Sequence, residues 1–167
     1  MYAIREATVA DAPAITQIWV RSIRAAYRTF VDPRWLDGID VRLAAKARER
    51  VWAKGPCLVL LATSGEGEHV GYVEVAPAAE GEAFAGELSG LYLVPEAFGS
   101  GLAGALFDRG VEWLRARGHR SMGLWVLKEN ARARRFYERR GGVPGGEKSV
   151  KLAGEVHAAM SFIWDPL

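Results

Sequence analysis

The sequence has little cysteine and no long apolar segment. Cys57 is the only cysteine in the chain, so an internal disulfide is excluded, which fits a protein of the reducing cytoplasm. No apolar run approaches the roughly 20 residues that a membrane-spanning helix needs. The first residues, MYAIREATVADAP, have neither the basic start nor the apolar core of a signal peptide. We therefore expect a cytoplasmic protein with no membrane partner, in which Cys57 is a buried core residue.

The sequence also lacks a strong excess of either charge. Its 22 Lys and Arg against 20 Asp and Glu leave a net charge of +2, far below the basic excess of a nucleic-acid-binding protein, so we expect no nucleic-acid partner. The basic residues concentrate in one short stretch, at Arg132, Arg134, Arg135, Arg139 and Arg140. No repeat or low-complexity tract divides the chain, and its length predicts a single domain over residues 1–167.

Apolar periodicity and turn residues predict seven strands and four helices in the order β-α-α-β-β-β-α-β-α-β-β. The first helix is expected to run from a capping box at Thr8 and Asp11 to about Phe30, followed by a loop over residues 31–40. Strands are expected near residues 2–7, 57–63, 69–77, 87–94, 121–127, 146–154 and 155–164, and the other helices near 41–53, 101–118 and 130–141. This order predicts an α/β (α+β) domain, with a mixed, mostly antiparallel sheet of about seven strands and helices on both faces.

A glycine-rich stretch raises the question of a phosphate site. Residues 95–107 read PEAFGSGLAGALF and match G-x-G-x-x-G from Gly99 to Gly104. A Rossmann site is disfavoured because residues 95–98 separate the strand from Gly99, because the match comes past mid-chain, and because the acidic partner expected about 20 residues on is missing. A P-loop is disfavoured because no Lys follows Gly104. Two interpretations remain, a pyrophosphate against the start of the next helix, or glycines that only turn the chain and allow close packing.

A second motif favours the pyrophosphate. In LKENARARRFYERRGG, Asn130, Ala133 and Tyr137 share one face of the predicted helix. Together with LYLVPEAFGSGLAGALF, this stretch resembles the GNAT superfamily of acyl-CoA-dependent N-acetyltransferases. The order of elements extends the resemblance over nearly the whole chain, and its specific motifs lie within residues 87–141. The family pattern Gln/Arg-x-x-Gly-x-Gly/Ala falls on residues 98–103, where Phe98 replaces the Gln or Arg and Ser100 stands where a basic residue is often found.

The resemblance implies a GNAT fold, acetyl-CoA as co-substrate, no metal, and a set of site residues. Tyr137 is the implied general acid, which protonates the leaving thiolate, and Glu87 is the implied general base, with Glu74 or a water relay as alternatives. The implied CoA-binding residues are Leu93 and Val94, through backbone groups of a strand that separates from its parallel neighbour, and Gly99, Ser100, Gly101, Leu102, Ala103, Gly104 and Asn130. A bulge is expected in that strand at Gly90. The arginines of the following helix either approach the CoA 3′-phosphate or form a solvated face.

The implied activity is transfer of an acetyl group from acetyl-CoA to a primary amine by direct attack, without a covalent acyl-enzyme. A small-molecule amine is the favoured acceptor. A lysine or N-terminus of a protein or peptide, or a non-catalytic acyl-CoA-binding sensor domain, remains an alternative. The first two helices, their loop and the C-terminal hairpin are expected to build the acceptor site. Its candidate residues, which could instead belong to the core and the turns, are Trp19, Tyr27, Phe30, Trp35, Asp32, Asp37 and Asp40. The strand HAAMSFIW is a candidate for pairing across a homodimer interface.

Overall fold

The computed structural model describes residues 2–167, and Met1 lies outside the described residues. The strands are β1 (Ala3–Glu6), β2 (Leu58–Thr63), β3 (His69–Pro77), β4 (Gly86–Leu93), β5 (Met122–Leu127), β6 (Val143–Leu152) and β7 (Glu155–Trp164). The helices are α1 (Ala12–Tyr27), α2 (Pro33–Asp37), α3 (Val41–Trp52), α4 (Leu102–Ala116) and α5 (Ala131–Arg139). The predicted order of elements is confirmed, with α2 as an addition.

These strands form one seven-stranded sheet in the order β1-β2-β3-β4-β5-β7-β6. Every neighbouring pair is antiparallel except β4 and β5, which run parallel. The predicted mixed, mostly antiparallel sheet is therefore confirmed. Within residues 2–167, none of the helices combines the length and the hydropathy that crossing a membrane requires.

The helices cover both faces of the sheet, as predicted. Successive side chains of a strand point to opposite faces, so the neighbours of β3 show which helix lies on each. A Cβ on Gly110 of α4 would stand 3.0 Å from Val75, which places α4 on the face of that valine. Arg48 of α3 instead pairs with Glu74, on the opposite face, where α1 packs against α3.

A helix stands where the sequence analysis expected only a loop. α1 ends at Tyr27, earlier than predicted, and α2 follows at Pro33–Asp37. Asp32 caps α2, because its side chain accepts a hydrogen bond of 2.8 Å from the Arg34 N–H, and proline suits the first helical position. Asp and Pro mark turns as well as helix starts, which is why the loop prediction was wrong here.

The parallel strands β4 and β5 pair at one end and separate at the other. They pair where residues 86–87 of β4 lie beside residues 122–123 of β5. On its other edge β4 pairs with β3, and a register shift next to Gly90 leaves Ser89 as an extra residue in β4. Such a bulge bends a strand and turns it away from its neighbour. The bulge predicted at Gly90 is confirmed, and the gap opens toward the carboxyl ends of β4 and β5.

The C-terminal strand is not free to pair with a second copy of the chain. β7 lies between β5 and β6 and pairs with both. The prediction that HAAMSFIW pairs across a homodimer interface is therefore wrong, because both edges of this strand are already used. On this side of the molecule, the outermost strand of the sheet is β6.

The single cysteine is half-buried. Cys57 comes directly before β2 and packs against the hydrophobic core from a partly exposed position. The prediction of a core residue is correct for its contacts and wrong for its full burial. Burial raises the pKa of the Cys57 thiol, which favours an unreactive side chain.

Candidate functional site

A cavity of about 310 Å³, here called the first cavity, lies between the glycine-rich turn, α5 and the open end of β4. Its wall contains seven of the eleven predicted site residues, namely Leu93, Gly99, Gly101, Ala103, Gly104, Asn130 and Tyr137. The structure thus brings the glycine motif and the Asn–Tyr motif together, although a helix and a strand separate them in the sequence.

The other four predicted residues lie elsewhere. Val94 and Leu102 are each 2% exposed and belong to the core. The N–H of Val94 is already used, because it donates to a carbonyl of β3 at 2.9 Å. The Ser100 hydroxyl donates to a backbone carbonyl three residues earlier at 2.7 Å and so stabilises the turn itself. Glu87 lies at the closed end of the gap between β4 and β5, away from the first cavity.

The glycine-rich turn presents open backbone at the start of α4. Gly99 and Gly101 have φ of +75° and +84°, a region that residues with a side chain rarely adopt. Among residues 2–167, a Cβ built at either position would meet nothing within 4 Å, so the space above the turn is free. α4 begins at Leu102, and the first N–H groups of a helix have no partner within it. This turn therefore suits a phosphate.

The open end of β4 presents unpaired backbone groups to the first cavity. Because the N–H of Val94 bonds to β3, the alternation of an antiparallel ladder turns the N–H and C=O groups of Leu91 and Leu93 to the other edge. β5 has left that edge beyond Glu87, and both leucines line the first cavity. An extended ligand with amide groups can pair with this edge as an added strand.

A second cavity, of about 170 Å³, fills the gap between the separated ends of β4 and β5. Its wall includes residues 88–92 of β4 and 124–127 of β5, with Val150 and Ala159 from the C-terminal hairpin. The two cavities share six residues, which are Tyr27, Leu91, Tyr92, Asn130, Ala133 and Tyr137. Ligands in the two cavities would therefore meet at these side chains.

Tyr137 is held at this shared wall by aromatic packing. It is 7% exposed, and its ring centroid lies 5.3 Å from that of Phe136 and 6.0 Å from that of Phe162. Burial, with a contribution from Tyr92, raises the pKa of the Tyr137 phenol, so its hydroxyl is protonated at neutral pH. A neutral phenol in a fixed position can give a proton to a leaving group.

The helix face predicted from the spacing of Asn130, Ala133 and Tyr137 is confirmed, since all three residues line both cavities. The Asn130 side chain also caps α5, because it accepts a hydrogen bond of 3.2 Å from the Ala133 N–H. The amide NH₂ group of Asn130 is not needed for this cap. One of its N–H groups donates to the Tyr27 hydroxyl, and the other can serve a ligand.

Tyr92 is a residue of the shared wall that the sequence analysis missed. In ELSGLYLV it looks like one more apolar residue of a buried strand. Its ring stacks on that of Tyr72 at 5.6 Å, and burial raises the pKa of its phenol and that of Tyr27 beside it. The signal that could have identified it is the bulge at Gly90, after which the strand turns into the gap.

The two candidate bases have different surroundings. Burial, and then the neighbouring Glu82 carboxylate, raise the pKa of Glu87. Glu87 stands on the sheet face that carries Trp125, a residue of the second cavity, but its own side chain is off both cavity walls. Glu74 pairs with Arg48 at 3.0 Å, and both side chains are largely buried. The ion pair occupies the Glu74 carboxylate, whereas the raised pKa of Glu87 suits proton transfer.

A stacked arginine stands beside the glycine-rich turn. Phe98 lies on the wall of the first cavity, and the guanidinium carbon of Arg132 is 3.5 Å from the centroid of its ring. Arg139 also lines this cavity. Arg140 instead donates to the Gly104 carbonyl at 3.0 Å and so fixes the end of α5 to the start of α4.

The elements expected to build the acceptor site do meet. Aromatic residues of the α1–α2 region and residues of the C-terminal hairpin pack against one small core. The aromatic residues include Trp19, Tyr27, Phe30 and Trp35, and the hairpin residues are Leu152 and Ala153. The predicted acidic residues serve the local structure instead. Asp32 and Asp40 cap α2 and α3, and Asp37 pairs with Arg28 at 2.8 Å. In the described part of the chain, no group of three or more His, Cys, Asp and Glu side chains is placed to hold a metal ion.

Comparison with known proteins gives a family and several relatives. The model of the acetyltransferase (GNAT) family matches residues 18–142. The uncharacterized N-acetyltransferase YuaI of Bacillus subtilis (strain 168) is 29% identical over 131 residues, which cover 78% of this chain and 74% of that protein. Among solved structures, yncA from Salmonella typhimurium with its cofactor acetyl-CoA has a TM-score of 0.71 at 22% identity, covering 99% of this chain and 94% of that chain. The ribosomal-protein-alanine N-acetyltransferase of Brucella melitensis has a TM-score of 0.72 at 24% identity, covering 98% and 99%.

Proposed function

The chain belongs to the acetyltransferase (GNAT) family, and on that premise we propose that it transfers the acetyl group of acetyl-CoA to the primary amine of a small molecule. The observation that carries this proposal is the shared wall of the two cavities, where Tyr137 stands between a turn suited to phosphate and the gap in the sheet. A donor in the first cavity and an acceptor in the second would meet beside its hydroxyl.

The surfaces of the first cavity fit acetyl-CoA. This co-substrate supplies an activated thioester, an extended arm with amide groups, and a pyrophosphate. The pyrophosphate would lie over the free space of the glycine-rich turn, against the N–H groups at the start of α4. The amide groups of the arm would pair with Leu91 and Leu93 on the open edge of β4, and Asn130 would donate to the arm through its NH₂ group.

The chemistry we propose is direct attack. The amine nitrogen bonds to the carbonyl carbon while the carbon–sulfur bond breaks, and Tyr137 gives its proton to the leaving sulfur. The amine loses a proton to Glu87, through water because this side chain lies off the cavity walls. The proton returns from Glu87 to Tyr137 through solvent, which restores both groups for the next cycle.

The acceptor side supports a small molecule. The α1–α2 region packs on the C-terminal hairpin and covers the site from that side. The second cavity, of about 170 Å³, lies in the gap between β4 and β5, and this volume suits a small amine. We propose further that residues 1–167 act as one acetyltransferase domain in the cytoplasm; the homodimer stays a prediction, for which sedimentation is the test.

Calorimetric titration with acetyl-CoA, with NADH and ATP as controls, tests this function first. We expect acetyl-CoA to bind in the micromolar range, and NADH and ATP not to bind. In a subsequent activity assay, members of a panel of small amines should be acetylated. Acetylation of lysine peptides but of no small amine would instead support a protein acetyltransferase. Binding without transfer to any amine would support a sensor domain. No binding of acetyl-CoA would overturn the proposal.

A further inference from the structure

The first cavity gathers positive potential without a matching acidic group of the chain on its wall. The α4 N-terminus, the first turn of α5, Arg132 and Arg139 all border it, and its described lining contains neither Asp nor Glu. A cation in the first turn of a helix opposes the helix dipole, so Arg132 stands where the local field disfavours it. An anion bound in the cavity would make the local field favourable for the Arg132 charge.

Arg132 is held in place by an aromatic ring rather than by an acid. Its guanidinium carbon is 3.5 Å from the ring centroid of Phe98, which is a close stacking contact. Within residues 2–167, burial alone acts on the pKa of the guanidinium, with no contribution from a hydrogen bond or an acidic group, so its N–H donors are available to a ligand. Phe98 precedes Gly99 directly, and Arg140 anchors α5 to Gly104, so the stack holds Arg132 next to the glycine-rich turn.

We infer that Arg132, stacked on Phe98, binds the pyrophosphate of the acyl-CoA and supplies from α5 the positive charge that the turn itself lacks. The turn carries Phe98 and Ser100, and the Ser100 hydroxyl is bonded to the backbone. Phe98 is thus the platform of the arginine rather than a loss to the site. This inference rests on the proposed function and goes beyond it by assigning a residue outside the glycine motif.

The test is calorimetric titration of Arg132→Ala with three ligands, with Arg135→Ala as the matched control. Arg135 belongs to the same helix and is exposed, and the first cavity does not include it. We expect Arg132→Ala to weaken binding of acetyl-CoA and of acetyl-3′-dephospho-CoA by about tenfold or more, as for loss of a charged hydrogen bond. Both variants should bind S-acetylpantetheine, which has no phosphate, like the wild type. Arg135→Ala should stay within about twofold for acetyl-CoA, by the small effect of an exposed charge.

Variants at Phe98 test the stack. Phe98→Leu should weaken acetyl-CoA binding, but only while Arg132 is present, so the double variant should bind no more weakly than Arg132→Ala alone. Phe98→Arg should restore binding to Arg132→Ala, because it returns a cation to the turn.

Several results would overturn the inference. An Arg132→Ala protein that binds acetyl-CoA like the wild type, or that loses no more than Arg135→Ala, would exclude a specific phosphate contact. If Arg132→Ala weakened binding of acetyl-CoA but not of acetyl-3′-dephospho-CoA, Arg132 would be assigned to the 3′-phosphate instead. If Arg132→Ala also weakened binding of S-acetylpantetheine, the role of Arg132 would be in packing rather than in phosphate binding. If the wild type binds none of the three ligands, the proposed function fails as well, which separates that outcome from the others.

Discussion

Removing the Tyr137 hydroxyl should slow acetyl transfer without unfolding the protein or weakening acetyl-CoA binding. Tyr137→Phe keeps the ring, and with it the contacts to Phe136 and Phe162. Within residues 2–167, burial and the charge of Tyr92 raise the pKa of this hydroxyl and no hydrogen bond contributes, so its loss should leave no buried group unpaired. We therefore expect the free energy of unfolding to change by less than about 1 kcal/mol.

The expected kinetic effect follows from the proposed role as general acid. Such groups contribute about 10² to 10⁴ in rate, and each tenfold loss corresponds to about 1.4 kcal/mol of barrier. We set the lower bound at about tenfold, since water can replace part of the acid. Burial raises the pKa of the phenol, so its acid form persists through the neutral range. The fold-loss in rate caused by Tyr137→Phe should therefore be the same from about pH 6 to about pH 9.

Single-turnover release of CoA thiol, read with a chromogenic disulfide, measures the chemical step. The half-buried Cys57 is subtracted with an enzyme-only blank. The matched controls are Tyr27→Phe and Tyr92→Phe, because these phenols line the same shared wall. A Tyr137→Phe protein with wild-type single-turnover rate would refute the assignment. If Tyr92→Phe lost single-turnover rate and Tyr137→Phe did not, Tyr92 would be the general acid instead.

Three further perturbations have defined outcomes. Glu87→Gln should lower kcat/KM by about tenfold or more and abolish the acid limb of the pH profile. In the wild type the midpoint of that limb should lie above the ordinary glutamate pKa of about 4.3, because the pKa of Glu87 is raised. An acid limb that survives in Glu87→Gln would exclude Glu87 as the base. Gly123→Ala would place a Cβ against the Phe84 ring, and this clash should lower the free energy of unfolding by about 1–3 kcal/mol in chemical denaturation, with Phe84→Leu relieving the loss. An unchanged denaturation midpoint would contradict this packing. By amide hydrogen exchange, Leu91 and Leu93 should exchange fast when free and slowly with acetyl-CoA, whereas the Val94 amide, bonded at 2.9 Å, should be slow in both states; uniform protection of the three would contradict the open edge.

Local patterns in the sequence were sufficient for the parts of the site that lie on one helix or one turn. The spacing of Asn130, Ala133 and Tyr137 fixes their common helix face, because helical geometry alone decides it. The positive φ at Gly99 and Gly101 likewise belongs to a local turn. Neither feature needed knowledge of the neighbouring elements, and the predicted helix face was confirmed.

Features that depend on a partner strand or helix could not be predicted in the same way. Leu93 and Val94 are adjacent in the sequence, and only the pairing with β3 decides that Leu93 faces the gap while Val94 bonds away from it. The contact between Phe98 and Arg132 joins two segments separated by α4 and β5. From the sequence, Phe98 therefore looked like the loss of a binding residue.

One extra residue links the fold to the proposed chemistry. The bulge at Ser89 turns β4 away from β5, which creates the gap and leaves the backbone of Leu91 and Leu93 unpaired inside the sheet. Unpaired backbone in the middle of a sheet is costly unless a ligand or water satisfies it. The same strand places Tyr92 at the wall shared with Tyr137. The pairing lost between two parallel strands is therefore what makes room for a ligand to take the place of a strand, beside the phenol that we propose acts on it.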